Sequence, residues 1–227
     1  MVMDEYKEEN SNAEDLNRME ATANPASDFL YFLFDLLKTG LIVFLLALSL
    51  RYFAIQPFIV DGESMMPSFV NNEYLLAEKV NYLIKEPKRG DAVVFRYPGN
   101  PNINYIKRII GLPGETIKIS KNQVTVVNNQ HPDGVVLQEV YLSPNTKTYV
   151  NESDEFKKEV GDGEYFVMGD NRQHSSDSRE WGVLPRKNII GRAWLTILPV
   201  DRFQLQRRLN YSQFGFIQLL PKILAGN

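Results

Sequence analysis

Three stretches of this 227-residue sequence carry groups able to do chemistry: Ser64 in FIVDGESMMPSF, Lys107 in YIKRIIGLPGE, and the polar run MGDNRQHSSDSREWG at 168–182. Ser64 follows Asp61-Gly62, a strong turn signal, and Pro67 restricts the backbone of Met66, so the hydroxyl is placed on a sharp, rigid turn. Lys107 lies in a β-like run whose alternation sets Tyr105, Lys107 and Ile109 on one face and Ile106, Arg108 and Ile110 on the other. A lysine drawn in among Tyr and Ile loses solvation and its pKa falls, as a lysine general base requires. The run at 168–182 is dense in donors and acceptors and bracketed by glycines. It includes Asp177 and Arg179, a local ion pair of the kind that contributes roughly 0–1 kcal/mol when it lies at the surface. Taken singly, each feature has an ordinary structural reading: a turn serine, a solvated strand lysine, an exposed polar loop.

Composition narrows the remaining chemistry. There is no cysteine, which excludes a disulfide framework, a thiolate nucleophile and a cysteine-ligated zinc. His131 and His174 are the only histidines, too few for a three-histidine metal site. No cofactor or metal is expected: the sequence lacks H-E-x-x-H, a phosphate-binding G-x-x-x-x-G-K-[ST], and a G-x-G-x-x-G after a strand. It lacks a G-x-S-x-G elbow too. A nucleophile must therefore be Ser, Thr, Lys or a carboxylate. A Ser-His-Asp triad would need one of the two histidines, and His131 sits in NNQHPDG, a turn-like sequence suited to solvent. The net charge of −3 speaks against general nucleic-acid binding, which needs a concentrated basic surface.

The elements that must position these groups fall into three parts. Residues 1–28 hold eight acids against Lys7 and Arg18, are poor in apolar residues, and read as a disordered tail. Phe29 to Leu50 is a 22-residue apolar run whose only charges are Asp35 and Lys38. At about 1.5 Å per residue, a helix of this length crosses a ~30 Å hydrocarbon core. A buried core helix and a cleavable secretory signal compete with that reading. Leu and Phe cover every face, against the first, and the n-region is acidic, against the second. The expectation is an uncleaved anchor over 29–52. Beyond it, short β-branched and aromatic runs recur between Gly, Pro, Asn and Asp: FIV at 58–60, YLLAEKV at 74–80, DAVVFRY at 91–97, YIKRIIG at 105–111, ETIKIS at 115–120, QVTVV at 123–127, EYFVMG at 164–169 and NIIGRAWLTIL at 188–198. The expected fold class is mainly β, with antiparallel sheets following a single N-terminal transmembrane helix. The apolar stretch 211–227 is too short and too broken by Pro and Gly to span a membrane, and is expected to pack on the domain.

Together these stretches resemble the bacterial type I signal peptidases, membrane-anchored Ser-Lys proteases. Ser64-Met65-Met66-Pro67 is similar to the family's nucleophile box, Arg89 to Phe95 to its core-strand box, and Tyr105 to Arg108 with Gly111 to Glu115 to its general-base box. Gly169 to Arg172, then Ser175, Asp177 to Arg179 and Trp181-Gly182, is similar to its last box. The four occur in the family's order over roughly residues 30–200.

The resemblance implies that Ser64 is the nucleophile, Lys107 the general base, and Ser175 a serine that helps to orient the lysine. It implies that Asp177 and Arg179 buttress the site, that Met65 and Pro67 shape the wall beside the nucleophile, and that the Ser64 N–H is an oxyanion donor. Two positions depart from the pattern. Gly62 stands where some members carry a serine that adds a second oxyanion donor, and Gln173-His174 replaces the commoner Asp-Asn pair. Implied partners are signal-peptide-bearing preproteins with small residues one and three positions before the cut, and membrane lipid. Implied too is a single-pass protein of the bacterial plasma membrane, or a thylakoid-type membrane, with a cytoplasmic N-terminus and a β-rich catalytic domain, 53–227, on the export side. A self-cleaving Ser-Lys repressor of the DNA-damage response is the alternative enzyme, and a catalytically dead tethered scaffold the alternative outside catalysis. Oligomeric state is not readable from the sequence.

Overall fold

The structure, a computed structural model, describes residues 25–143, 145–150, 155–209 and 211. The expected disordered tail, up to residue 24, and residues 212–227 of the C-terminal apolar stretch lie outside the described residues. The chain divides into two compact units at Arg51/Tyr52.

Among the described residues the first unit consists of one helix, α1 (Pro25–Phe53), whose last two residues fall past the division. Pro25 suits the first helical turn, where its missing N–H costs nothing, and Asp28 complements the positive helix terminus. The helix thus starts inside the segment expected to be tail. Within it, Ser27–Ser49 is long and apolar enough to cross a membrane by length and composition, and none of it is buried in protein.

The second unit is a pair of antiparallel sheets. The larger has eight strands: β1 (Ile55–Ile59), β2 (Tyr74–Glu78), β11 (Ile189–Leu198), β3 (Ala92–Tyr97), β4 (Asn100–Gly111), β9 (Glu164–Met168) and β10 (Leu184–Pro185) in that spatial order, with β12 (Gln204–Leu205) pairing to β11. The smaller runs β7 (His131–Val136), β6 (Gln123–Asn128), β5 (Thr116–Ser120), β8 (Glu155–Glu159). Two short helices, α2 (Asn81–Ile84) and α3 (Ser178–Trp181), interrupt the strands. Each of the eight short β-branched and aromatic runs read beyond the anchor overlaps a strand. The turn expected around His131 falls earlier, and His131 opens β7.

Alternation sorts β3 between two cores. Ala92 and Val94 pack with Met65, Phe69, Leu75 and Ala77, while Val93 and Phe95 pack with Ile109, Tyr165 and Val167. A third core joins Ile110, Phe166 and Met168 to Ile117, Val124 and Val126 of the smaller sheet. The central pair β3–β4, with Val93 opposite Lys107 and Ala92 opposite Arg108, therefore carries the lysine through the best-buried part of the unit.

Candidate active site

Ser64 sits on the loop that joins β1 to β2, and the neck of that loop is closed by backbone bonds. The Val60 N–H donates to the Glu73 carbonyl and the Asn72 N–H to the Val60 carbonyl, both at 2.8 Å. Gly62 adopts φ +99°, a left-handed conformation suited to glycine, and its N–H donates to Asn71 Oδ1 at 2.8 Å. That N–H is committed and is not a free oxyanion donor. The Ser64 N–H, by contrast, donates to nothing among the described residues. On the other side, the Asn171 N–H donates to the Ser64 carbonyl at 3.0 Å and Asn171 Nδ2 to the Glu63 carbonyl at 3.2 Å.

Lys107, on β4, is only 4% exposed, and its Nζ lies 2.6 Å from Ser64 Oγ. The ammonium stands 5.2 Å from the Tyr105 ring centroid, as their shared strand face requires. Burial lowers the lysine pKa from 10.5 to about 8, against the opposing pull of the Asp177 and Asp170 carboxylates and with a smaller push from Arg179. The pair opens into a cleft of about 270 Å³ whose apolar wall includes Phe58, Leu75, Val94 and Ile106.

Met65 and Pro67 are not part of that wall. Met65 is 1% exposed and packs inward with Phe69 and Leu75, because the turn that presents Ser64 to the cleft sends the next side chain into the core. Pro67 is exposed outside the cleft. Ser175 Oγ is buried against Gly169 and has no hydrogen-bond partner among the described residues, so it does not bond the lysine that the resemblance has it help to orient. His174 lines the cleft, but its ring nitrogen meets only Asn171 Oδ1, at 3.3 Å.

Asp177 and Arg179 form a buried ion pair rather than a surface one. Asp177 Oδ1 accepts from Arg179 Nε and Oδ2 from Arg179 Nη2, both at 2.8 Å, while Oδ2 also accepts from the Gly169 N–H at 3.0 Å. Arg179 in turn donates to the carbonyls of Arg172 and Tyr149. Removing one member of such a pair leaves an uncompensated buried charge.

Two further buried pairs lie behind the dyad, and sequence reasoning assigned them no role. Arg108 donates to both Asp170 oxygens and, at 2.8 Å, to the Gly90 carbonyl; burial pulls the arginine pKa down, but the charge and hydrogen bonds of Asp170, with Tyr141 and Tyr211, together raise it. Arg172 clasps Glu139 through Nη1 and Nη2 and donates to Thr148 Oγ1. Arg108, Asp170 and Arg172 stand inside the recognised boxes. Glu139 and Thr148 sit in an irregular segment where no local pattern marks them.

Comparison with known proteins follows the same lines. A family model described as signal peptidase, peptidase S26, matches residues 33–198. "Signal peptidase I P" of Bacillus subtilis subsp. natto is 39% identical over 176 residues, covering 75% of this chain and 91% of that one. "Signal peptidase I" of Pseudomonas aeruginosa is 32% identical over 215 residues, covering 77% and 76%. The crystal structure of a signal peptidase I from Enterococcus faecalis V583 is 34% identical, covers 48% of this chain and 97% of its own, and has a TM-score of 0.40. The chain belongs to the signal peptidase family, peptidase S26, and is a peptide-bond hydrolase.

Proposed function

We propose that this chain is a membrane-anchored serine endopeptidase that removes N-terminal signal peptides from exported preproteins, with Ser64 as nucleophile and Lys107 as general base. The observation that carries the reading is the 2.6 Å approach of a desolvated lysine to a turn-mounted serine at the floor of a cleft. Neutral Lys107 takes the proton of Ser64 Oγ as Oγ attacks the carbonyl of the residue before the cut. The Ser64 N–H receives the developing oxyanion. The protonated lysine delivers its proton to the leaving amine, giving an ester to Ser64. A water that gives its proton to the same lysine then hydrolyses the ester. Asp177–Arg179 fixes the Gly169 segment against the serine loop, and Arg108–Asp170 fixes the strand that bears the lysine.

The apolar cleft wall suits small apolar side chains of an extended substrate segment. Helix α1 anchors the enzyme with its N-terminus in the cytoplasm and the β unit on the export side, at a bacterial plasma or thylakoid-type membrane. The test is cleavage of a peptide with an Ala-x-Ala site by the full chain in detergent micelles. Cleavage after the second alanine that is abolished in a folded Ser64→Ala variant is expected. Undiminished cleavage by Ser64→Ala would overturn the assignment.

A further inference from the structure

The family match stops at residue 198. Residues 199–209 and Tyr211 are described beyond it, and their contacts bear on the site. β12 pairs with β11 at Leu195 and Thr196. Gln206 is then held at three points: its N–H donates to the Trp194 carbonyl at 2.8 Å, its Nε2 to Thr196 Oγ1 at 3.3 Å, and its carbonyl accepts from Arg192 at 3.2 Å. Arg208 reaches the buried Asp91 carboxylate at 3.1 Å. Leu209 and Tyr211 close over the Gly90 turn so tightly that a Cβ on Gly90 would stand 2.7 Å from the Tyr211 ring and 2.9 Å from Leu209 Cβ.

Gly90 is the residue whose carbonyl accepts from Arg108, the neighbour of Lys107 and the partner of Asp170. Tyr211 also packs on the core that holds Ile110 and Met168, from the two strands that carry Lys107 and lead to Asp170. We propose that residues 204–209, with Tyr211, are a strap that completes the site, Tyr211 being a positioning residue that keeps the Gly90–Arg108–Asp170 chain dry and thereby holds Lys107 on Ser64. This rests on the Ser64–Lys107 reading.

An ion pair is strong while water is excluded and loosens when water enters. Without the Tyr211 ring, water reaches Arg108, and Asp170 is less well neutralised. Its charge already favours the ammonium form of Lys107. The base is then neutral less often near pH 7. Tyr211 does not line the substrate cleft, so substrate affinity is untouched.

The experiment compares the full chain in micelles with Tyr211→Ala, Tyr211→Phe and chains ending after residue 211 or after residue 203, on an Ala-x-Ala peptide across pH. Tyr211→Ala and the chain ending at 203 should lose kcat on the order of 10-fold at neutral pH with KM unchanged, since small misplacement of a base is costly. Their kcat midpoint should move to higher pH, by roughly half a unit or more. Tyr211→Phe, which keeps the ring on Gly90, and the chain ending at 211 should behave as the parent. If the alanine variant does not fold, Tyr211→Leu, which removes the ring and covers Gly90 only in part, should show the same kcat loss and midpoint shift in smaller measure. A parental kcat and midpoint, or a change confined to KM or thermal stability, overturns the strap. Lys107→Arg run alongside separates the two claims: its activity would sink the dyad whatever Tyr211 does.

Discussion

Gly169 and Ser64 meet backbone to backbone: a Cβ on Gly169 would overlap the Ser64 carbonyl oxygen and the Ser175 side chain. The same carbonyl accepts from the Asn171 N–H at 3.0 Å. The height of the serine loop above the end of β9 is therefore set by the lack of a side chain at 169. Gly169→Ala should push Ser64 Oγ away from Lys107 by a fraction of an ångström to about 1 Å, with a kcat loss on the order of 10²-fold. Far-UV circular dichroism should be unchanged. Parental kcat in a folded Gly169→Ala variant would show that the loop height does not matter.

Gly62 bears on the oxyanion. Its φ of +99° disfavours any L side chain, even though nothing stands within 4 Å of where a Cβ would go. Gly62→Ser should therefore destabilise by about 1–2 kcal/mol through backbone strain, read as a lower thermal midpoint. It should not raise kcat, because the turn must distort to receive the new side chain. A clear gain in turnover would show that an empty donor position exists beside Ser64 and that a hydroxyl at 62 fills it.

Burying Lys107 has a cost that varies with pH. Its pKa is about 8 in the fold and 10.5 in the open chain. Below pH 8 both states hold the proton, and the folded state carries a poorly solvated ammonium. Between the two values the unfolded chain binds more protons than the native one, so stability rises with pH; above the higher value the penalty is gone. Lys107→Met should thus stabilise the fold below pH 8, by up to roughly 3 kcal/mol, and the gain should vanish by the open-chain value. Thermal midpoints of the two proteins in one detergent, measured on both sides of this window, check it. An equal loss of stability at both ends would mean that the lysine stabilises the fold.

Much of this arrangement was legible in the sequence. The apolar runs marked the strands because alternation between two cores, as at Ala92 to Phe95, leaves a period that can be read. β8, the charged sequence EFKKE, was not legible: it gains its place from pairing with β5 rather than from its own pattern. The first half of β4 was hidden for a similar reason. Asn100 to Asn104 look like punctuation, and become strand because the hairpin with β3 extends past its core. Ser64 and Lys107 were legible as types, but their meeting spans 43 positions and depends on register. The Arg172–Glu139 clasp escaped altogether, since Glu139 lies in an irregular segment and its partner is 33 positions away. The wall role that the resemblance implied for Met65 and Pro67 was not legible as wrong: only the fold shows the tight turn that sends Met65 into the core while Ser64 faces the cleft.

The central claim is that a lysine, not a histidine, takes the serine proton, and one measurement addresses it directly: kcat on a single Ala-x-Ala peptide for the parent, Lys107→Arg and His174→Ala, from about pH 6 to about pH 10. The parent rate should rise with pH to a plateau, with a midpoint near the lysine pKa of about 8, as the neutral amine is populated. Lys107→Arg should sit at background throughout, because a guanidinium keeps its charge and cannot accept a proton. His174→Ala should retain most of the rate and the same midpoint, because His174 meets Asn171 and not Ser64. Substantial activity in Lys107→Arg together with its loss in His174→Ala would contradict the Ser-Lys mechanism outright.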